Sequence, residues 1–500
     1  MKPCLALGLC GALLAFPAGA EPFFIDEAPH LPLTHVYAGG WEHFVGGGVA
    51  VFDCNGDARP ELFAAGGENP AVLFVNRSEP GGALRFATGP LPELRAVTGA
   101  YPIDIDSDGQ MDLALLRAGP NRLLRGLGDC RFEDATEAWG LPTRDDWTTS
   151  FTATWEKGAL WPTLFFGNYV DRENPDGPFE ACDTNTLFRP EGTKYAETET
   201  ISPGYCALSA LITDWRRTGT PELRLSNDRH YYVRGGYEQM FRLSPLEERA
   251  DWPHVSLWGM GIASRDLTGD GLPEVMMTSM GDQLLQFNRG DHFENAPFSI
   301  GTYAQRPFLG DDGRPSTGWH PAFGDVDNDG RIDLFISKGN VDQMPSNASH
   351  DPNNLLMQRP DGTFVEMADK AGVATLHRSR GAALSDLNAD GLLDLVVVNR
   401  RAPLELWRNA TQNTGNWAAI EPLQPAPNQH AVGAWVELRS ASGTEAQEVT
   451  IGGGHAGGEA GPLHFGLGAE TSAEVRVIWP DGTEGAWQPL ELNGLTVISR

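Results

Sequence analysis

The sequence predicts an all-β chain, a seven-bladed β-propeller followed by a small β-sandwich-like domain. Three observations carry that expectation. A ten-residue acidic segment recurs seven times, at starts 51 to 61 residues apart. Each copy lies among four short apolar runs, the content of one propeller blade. The runs are punctuated by 59 Gly and 36 Pro, with no heptad or long helical periodicity.

The segment reads DVDNDGRIDL at 325, DCNGDARPEL at 53, DIDSDGQMDL at 104, DLTGDGLPEV at 266 and DLNADGLLDL at 386. Weaker copies are WEKGALWPTL at 155 and DWRRTGTPEL at 214. A Gly- and Ala-rich apolar run precedes the loop, as in Gly381-Ala382-Ala383-Leu384, and a β-type run such as Leu395-Val396-Val397-Val398 follows it. A third run (Asn354-Leu355-Leu356) and a fourth ending in Phe132, Phe293 or Phe364 complete the unit. A solenoid is the competing architecture, but it calls for capping repeats and usually shorter periods.

Within the loop, oxygen-bearing side chains fall at positions 1, 3, 5 and 9, with Gly usually at 6. Alternate residues of a tight loop turn inward, and the Gly permits the reversal, which makes a cage of hard oxygens suited to calcium. Complete sets are Asp104, Asp106, Asp108 and Asp112, and Asp325, Asp327, Asp329 and Asp333. Asp386, Asn388, Asp390 and Asp394 keep every oxygen, and Asp266, Thr268, Asp270 and Glu274 follow. In the set Asp53, Asn55, Asp57 and Glu61, Ala58 stands where Gly is expected. The expectation is therefore five structural calcium sites. At 214, Arg216 is expected to take the cation's place; the 155 copy, with Trp155, Lys157, Ala159 and Thr163, holds no metal. Position 12 of the 325 copy is Ile336, in a β-type run, which excludes an EF-hand. The competing reading is a metal-free Asx-turn. Against it stand several copies in register, whose stacked carboxylates would repel one another without a cation.

The formal charge is −30, from 37 basic and 67 acidic residues. Nucleic acid and anionic lipid both demand a basic face, so neither is expected as a partner. Residues 1–20 read as a bacterial-type signal peptide, with Lys2, an apolar stretch and Ala18-Gly19-Ala20. No later segment is apolar enough to insert in a membrane. Export to the periplasm, cell surface or medium leaves Cys54, Cys130, Cys182 and Cys206, enough for two disulfides. Cys182–Cys206 would staple one insertion and leave Cys54–Cys130, though three pairings are open.

With these residues in view the chain resembles the FG-GAP/VCBS repeat family of integrin α-type propellers, over roughly residues 40 to 410. Asn416-Trp417, Val432-Gly433-Ala434, Phe465-Gly466-Leu467-Gly468 and Ile478-Trp479-Pro480-Asp481-Gly482 are similar to the ASPIC/UnbV module of cartilage acidic protein-like chains. The resemblance implies an exported calcium-binding protein with a propeller over 21–410 and the module over 411–500. On its own terms the tail alternates apolar and polar residues, as in Val475-Arg476-Val477-Ile478-Trp479, which suits a small sandwich.

Other motifs read more plainly. Residues 171–207, rich in Pro, Asp and Glu, form a long insertion, either a binding element or a pinned surface excursion. Arg289-Gly290-Asp291 falls where other units place a hairpin turn. Asn76, Asn347 and Asn409 head glycosylation sequons that a bacterial protein leaves unused. His455, in a Gly-rich stretch, reads as a solvated loop histidine, and Trp319 and Trp407 as core residues. The clustered carboxylates are committed to the loops, and no GxSxG, HExxH or Cys/His pairing appears. The expected function is a non-enzymatic, monomeric binding or adhesion protein with a protein or glycan ligand; the alternative is a polysaccharide hydrolase or lyase, which would need two free carboxyls in a cleft.

Overall fold

A computed structural model describes residues 20–142, 144–175, 177, 180–228, 235–303, 316–340 and 350–500. Residues 1–19 of the expected signal peptide 1–20 and the sequon Asn347 lie outside them. Among the described residues no helix is long and apolar enough to cross a membrane.

The chain is all-β, and each acidic loop joins the first two strands of a four-stranded antiparallel sheet. The sixth sheet is representative. It runs Gly318–Gly324, Asp333–Lys338, Asn354–Gln358 and Phe364–Glu366, in sequence order. Seven such sheets occur among the described residues, with first strands at Val49–Phe52, Val97–Ile103, Thr148–Thr154, Ala207–Thr213, Gly259–Arg265, Gly318–Gly324 and Arg378–Ser385; the first of them gains a fifth strand, Glu459–Ala460, parallel to Val49–Phe52. The seventh takes its outer strand from the other end of the repeat domain. Phe24–Asp26 pairs antiparallel with Glu405–Asn409, Phe24 opposite Asn409.

The first strands of consecutive sheets are neighbours, and that of the seventh neighbours that of the first. Each sheet is thereby covered on both faces, so its strands read as unbroken apolar runs rather than alternations. Val49–Phe52 and Asp394–Arg400 are buried at every position. One core cluster draws on three sheets, with Val51, Leu115 and Val396 among its members. In the second to seventh sheets the register of the first strand shifts near its start, between Val97 and Gly99 for example.

The expected insertion 171–207 is in part sheet. Asn185–Glu191 and Lys194–Ile201 are the third and fourth strands of the third sheet, lengthened beyond their counterparts. The polar composition disguised them, because only Leu187 and Phe188 of the third strand reach fully apolar surroundings. Both expected disulfides are present, Cys54–Cys130 and Cys182–Cys206.

Residues from Asn416 onward build two more sheets. Asn416–Leu423 lies between Leu463–Gly468 and Leu495–Ser499; Trp435–Arg439 lies between Thr444–Glu448 and Ala473–Ile478, with Gln488–Leu490 at the edge. Ile420, Val436, Phe465 and Val475 form the core between them.

From this domain residues 451–460 pass along the first strands of all seven sheets. Ala153 N–H donates to Ile451 O, Gly453 N–H to Ala210 O, and Gly454 N–H to Ile262 O (3.3, 2.7 and 2.7 Å). His455 N–H donates to His320 Nδ1 at 2.9 Å. Ala100 and Val51 donate to Ala456 O and Gly458 O, both at 3.1 Å, and Leu384 donates to Glu459 Oε1 at 3.2 Å. His455 is therefore not a solvated loop residue. It is 0% exposed and packs on Trp319, with ring centroids 4.8 Å apart. Glycine is required for this approach. A Cβ on Gly454, at φ +58°, would stand 2.2 Å from His320 Cε1, and one on Gly48 would stand 1.7 Å from Ala456 O. Gly48→Ala is expected to cost about 2 kcal/mol or more through overpacking, read as a lower urea midpoint at unchanged slope.

Candidate metal centres

The acidic loops share one hydrogen-bond plan. The carboxylate at position 1 accepts from the backbone inside its own turn. Asp104 takes the N–H of Asp108 and Gly109, Asp325 that of Asp329 and Gly330, and Asp386 that of Asp390 and Gly391, all within 3.1 Å. Asp266 accepts from Gly269 and Gly271, and Asp53 from Asn55, Gly56 and Ala58. The carboxylate at position 9 accepts one N–H from position 2 and one from the third strand. Asp112 holds Ile105 and Gly126, Asp333 holds Val326 and Gln358, and Asp394 holds Leu387 and Asn409. Glu61 and Glu274 repeat the arrangement with Cys54 and Asn76, and with Leu267 and Asn288. Positions 1 and 9 thus fulfil the Asx-turn reading.

Position 3 does not. Asp106 Oδ1, Asp327 Oδ1 and Asn388 Oδ1 are buried oxygens without a hydrogen-bond partner. Three equivalent orphans in three loops need a common explanation, and a cation supplies one. At two loops the carboxylates also converge: Asp104, Asp106 and Asp108 offer oxygens within 4.8 Å of one another, as do Asp325, Asp327 and Asp333. Among the described residues the loops at 53, 266 and 386 gather no such acidic triad. Thr268 and Asp270 are exposed, Asn55 Nδ2 donates to Glu61 at 2.9 Å, and Asn388 Nδ2 donates to Asp390 at 3.1 Å.

Burial disfavours the ionised form throughout. Desolvation pushes Asp104, Asp327 and Asp386 to about 6, Glu61 to about 7 and Glu274 to about 8, and it holds Asp325, Asp333, Asp112 and Asp394 well above the usual carboxylate range. Neighbouring carboxylates add to it.

Arginines near position 5 are the part that spacing alone does not reveal. Arg125, from a third strand, reaches Asp106 at 2.8 Å and Asp108 at 2.9 Å. Arg59 pairs with Asp57 at 2.9 Å, and Arg331 with Asp329. The last two sit at position 7 of their loops, a signal visible in the sequence. In the 214 loop Glu222 meets Arg249 at 3.1 Å, Arg216 at 3.4 Å and the Trp215 indole at 2.6 Å. Arg216 is thus at the expected place, and Arg249 is the closer charge. In the 155 loop Glu156 accepts from Thr163 (2.8 Å) and Arg189 (2.6 Å).

Arg289-Gly290-Asp291 forms the turn between Leu284–Asn288 and Phe293–Asn295. Asn76 and Asn409 are buried, each donating its amide to two backbone carbonyls, which leaves no room for a glycan.

Parts of the chain match two family models, an FG-GAP-like repeat and ASPIC and UnbV. The first match spans residues 53–115 and 266–336, the second residues 424–500. The chain is similar to cartilage acidic protein 1 of Mus musculus and of Homo sapiens, 27% identical over 162 residues in each case. That stretch is 32% of this chain and about a quarter of either relative, 25% and 24%. The Xenopus tropicalis protein of the same name is 33% identical over 93 residues, 18% of this chain and 13% of that one. The solved structure of BBS1N in complex with ARL6DN covers 79% of this chain and 99% of that one at 10% identity and a TM-score of 0.44, too distant to bear on the fold.

The carboxyl shifts fix a pH dependence for the metal-free protein. Folded pKa values raised above the ordinary 4.5 hold extra protons in the fold, so their stabilisation is lost as pH rises toward 8. Burial lowers His320 to about 4 and His455 to about 3, and those residues act in the opposite sense only below their ordinary 6.5. In EDTA the urea midpoint is therefore expected to fall between pH 6.5 and pH 8, with a shallower fall in Glu274→Gln.

Proposed function

We propose that this chain is an exported, calcium-stiffened seven-bladed β-propeller that serves as a non-enzymatic binding or adhesion protein, with a protein or glycan as ligand. The observation that carries the calcium reading is the set of orphaned position-3 oxygens of Asp106, Asp327 and Asn388, each in a loop whose other carboxylates are already hydrogen-bonded. Seven consecutive small sheets, the last beside the first and completed by Phe24–Asp26, support the closed propeller. Two disulfides support an oxidising compartment.

Calcium here is structural. The residues fit a hard cation through all-oxygen side chains and turn carbonyls, and the ion would supply the charge that lets desolvated carboxylates ionise. The 451–460 segment occupies the space beside the first strands, so a ligand would be met by loops rather than by an open channel.

Chelation tests the reading. EDTA is expected to lower the melting temperature, each occupied site contributing roughly 2.7 kcal/mol at a hundredfold excess of calcium over Kd. Asp106→Ala and Asp327→Ala should each remove one ion by bound-metal analysis. An unchanged melting temperature together with a calcium-free protein would sink the proposal.

A further inference from the structure

The acidic-loop ends of the sheets and the C-terminal domain enclose a cavity of about 520 Å3, a volume suited to a small organic ligand. Its wall is rich in carboxyl groups and short of cations. Glu421 and Glu459 both line it, and among the described residues neither forms an ion pair. Arg265 lines it too, but is committed to Glu445 at 3.0 Å. The Glu459 side chain has open surface, yet desolvation raises its pKa to about 8.

Two acceptors on the same wall lack a donor. Gln447 is 3% exposed; its Nε2 donates to His464 O at 2.7 Å, and its Oε1 has no partner. His464 Nε2 lies 3.1 Å from Gly391 O, which assigns the ring proton to Nε2 and leaves Nδ1 a bare acceptor, also without a partner. Burial keeps this imidazole neutral by lowering its pKa to about 4. Trp417 stacks on it, ring centroids 6.2 Å apart and planes 14° apart, and Trp435 lines the cavity from the other sheet of the domain. Indole and imidazole walls are wrong for calcium, which takes six to eight oxygens. They suit an organic cation, which aromatic faces and desolvated carboxylates hold together.

We propose that this cavity binds a small organic cation, an ammonium-bearing molecule whose charge is met by Glu421 and Glu459 and whose N–H groups reach Gln447 Oε1 and His464 Nδ1. Unpaired indole N–H groups of Trp155 and Trp435 on the same wall are available to hydroxyl oxygens of such a ligand. Asp104, Asp266 and Asp386 of the acidic loops also line the cavity, but the groups assigned to the cation, Glu421, Glu459, Gln447 and His464, lie outside the loops, so the assignment does not depend on reading the loops as calcium sites.

Calorimetric titration of the full chain in saturating calcium tests this, with glucosamine, spermidine and choline as probes and glucose as the neutral comparator. At least one ammonium compound is expected to bind at millimolar concentration or below, with glucose weaker by at least about tenfold. Glu421→Gln and Glu459→Gln should each weaken that binding by at least about tenfold, at unchanged calcium content. Glu421 accepts no hydrogen bond among the described residues, so its variant keeps the test open if Glu459→Gln does not fold. Absence of binding by all three cations, equal binding of glucose, or indifference to both substitutions would overturn the proposal. Loss of calcium with ammonium binding retained would instead count against the calcium reading alone.

Discussion

The fold turns on one glycine-rich strand of chain. Residues 451–460 hydrogen-bond or bridge to the first strand of every sheet, and their carbonyls and amides satisfy groups that would otherwise face an empty core. The approach is so close that Gly48, Gly99 and Gly454 have no room for a Cβ. Seven separate sheets and the C-terminal domain therefore share one set of backbone contacts. The imidazoles of His320 and His455 are held neutral among them, with the Arg380 guanidinium adding to the cost of protonation.

The acidic loops are the second organising element, and they work in two layers. Positions 1 and 9 tie the turn to itself and to the third strand with ordinary hydrogen bonds. Position 3 is left over. Separating the roles explains why the 214 and 155 loops persist without a full carboxylate set: Asp214 still accepts from Thr218 and Gly219, and arginines occupy what remains. The loops also carry the C-terminal domain. Gly415 N–H donates to Asp327 O, Gly468 N–H to Asn328 O, and Gln429 Nε2 to Ser107 O.

Much of this was legible in the sequence because it is local. The loop spacing of Asp325, Asp327, Asp329 and Asp333 is a property of ten consecutive residues, and the hairpin at Gly290 follows from the same period. Four cysteines in a chain expected to be exported announced two cystines but left three pairings open, and the structure selects Cys54–Cys130 and Cys182–Cys206. What could not be read is what depends on distant partners. His455 sits in Gly-Gly-Gly-His-Ala-Gly-Gly, a composition that signals a free loop, and only the ring of first strands makes it a core. The strands Asn185–Glu191 and Lys194–Ile201 were hidden by their polar residues, which the edge position of Lys194–Ile201 tolerates. Arg125 and Arg249 reach their carboxylates from other strands, so no spacing within the loop announces them.

The strand Phe24–Asp26 has a consequence for how the chain comes to its fold. Its partner, Glu405–Asn409, is made only after the first six sheets, so Phe24–Asp26 must wait for the rest of the repeat domain. Loop closure of that span cannot be offset by local contacts, which makes the seventh sheet a slow, non-local step. The glycine-rich strand is made later still. Until both arrive, the edge of Glu405–Asn409 and the inner faces of the first strands stand open, and a partly delivered chain presents unpaired β edges to its neighbours. A chain of this topology needs protection from aggregation until residues 451–460 have emerged.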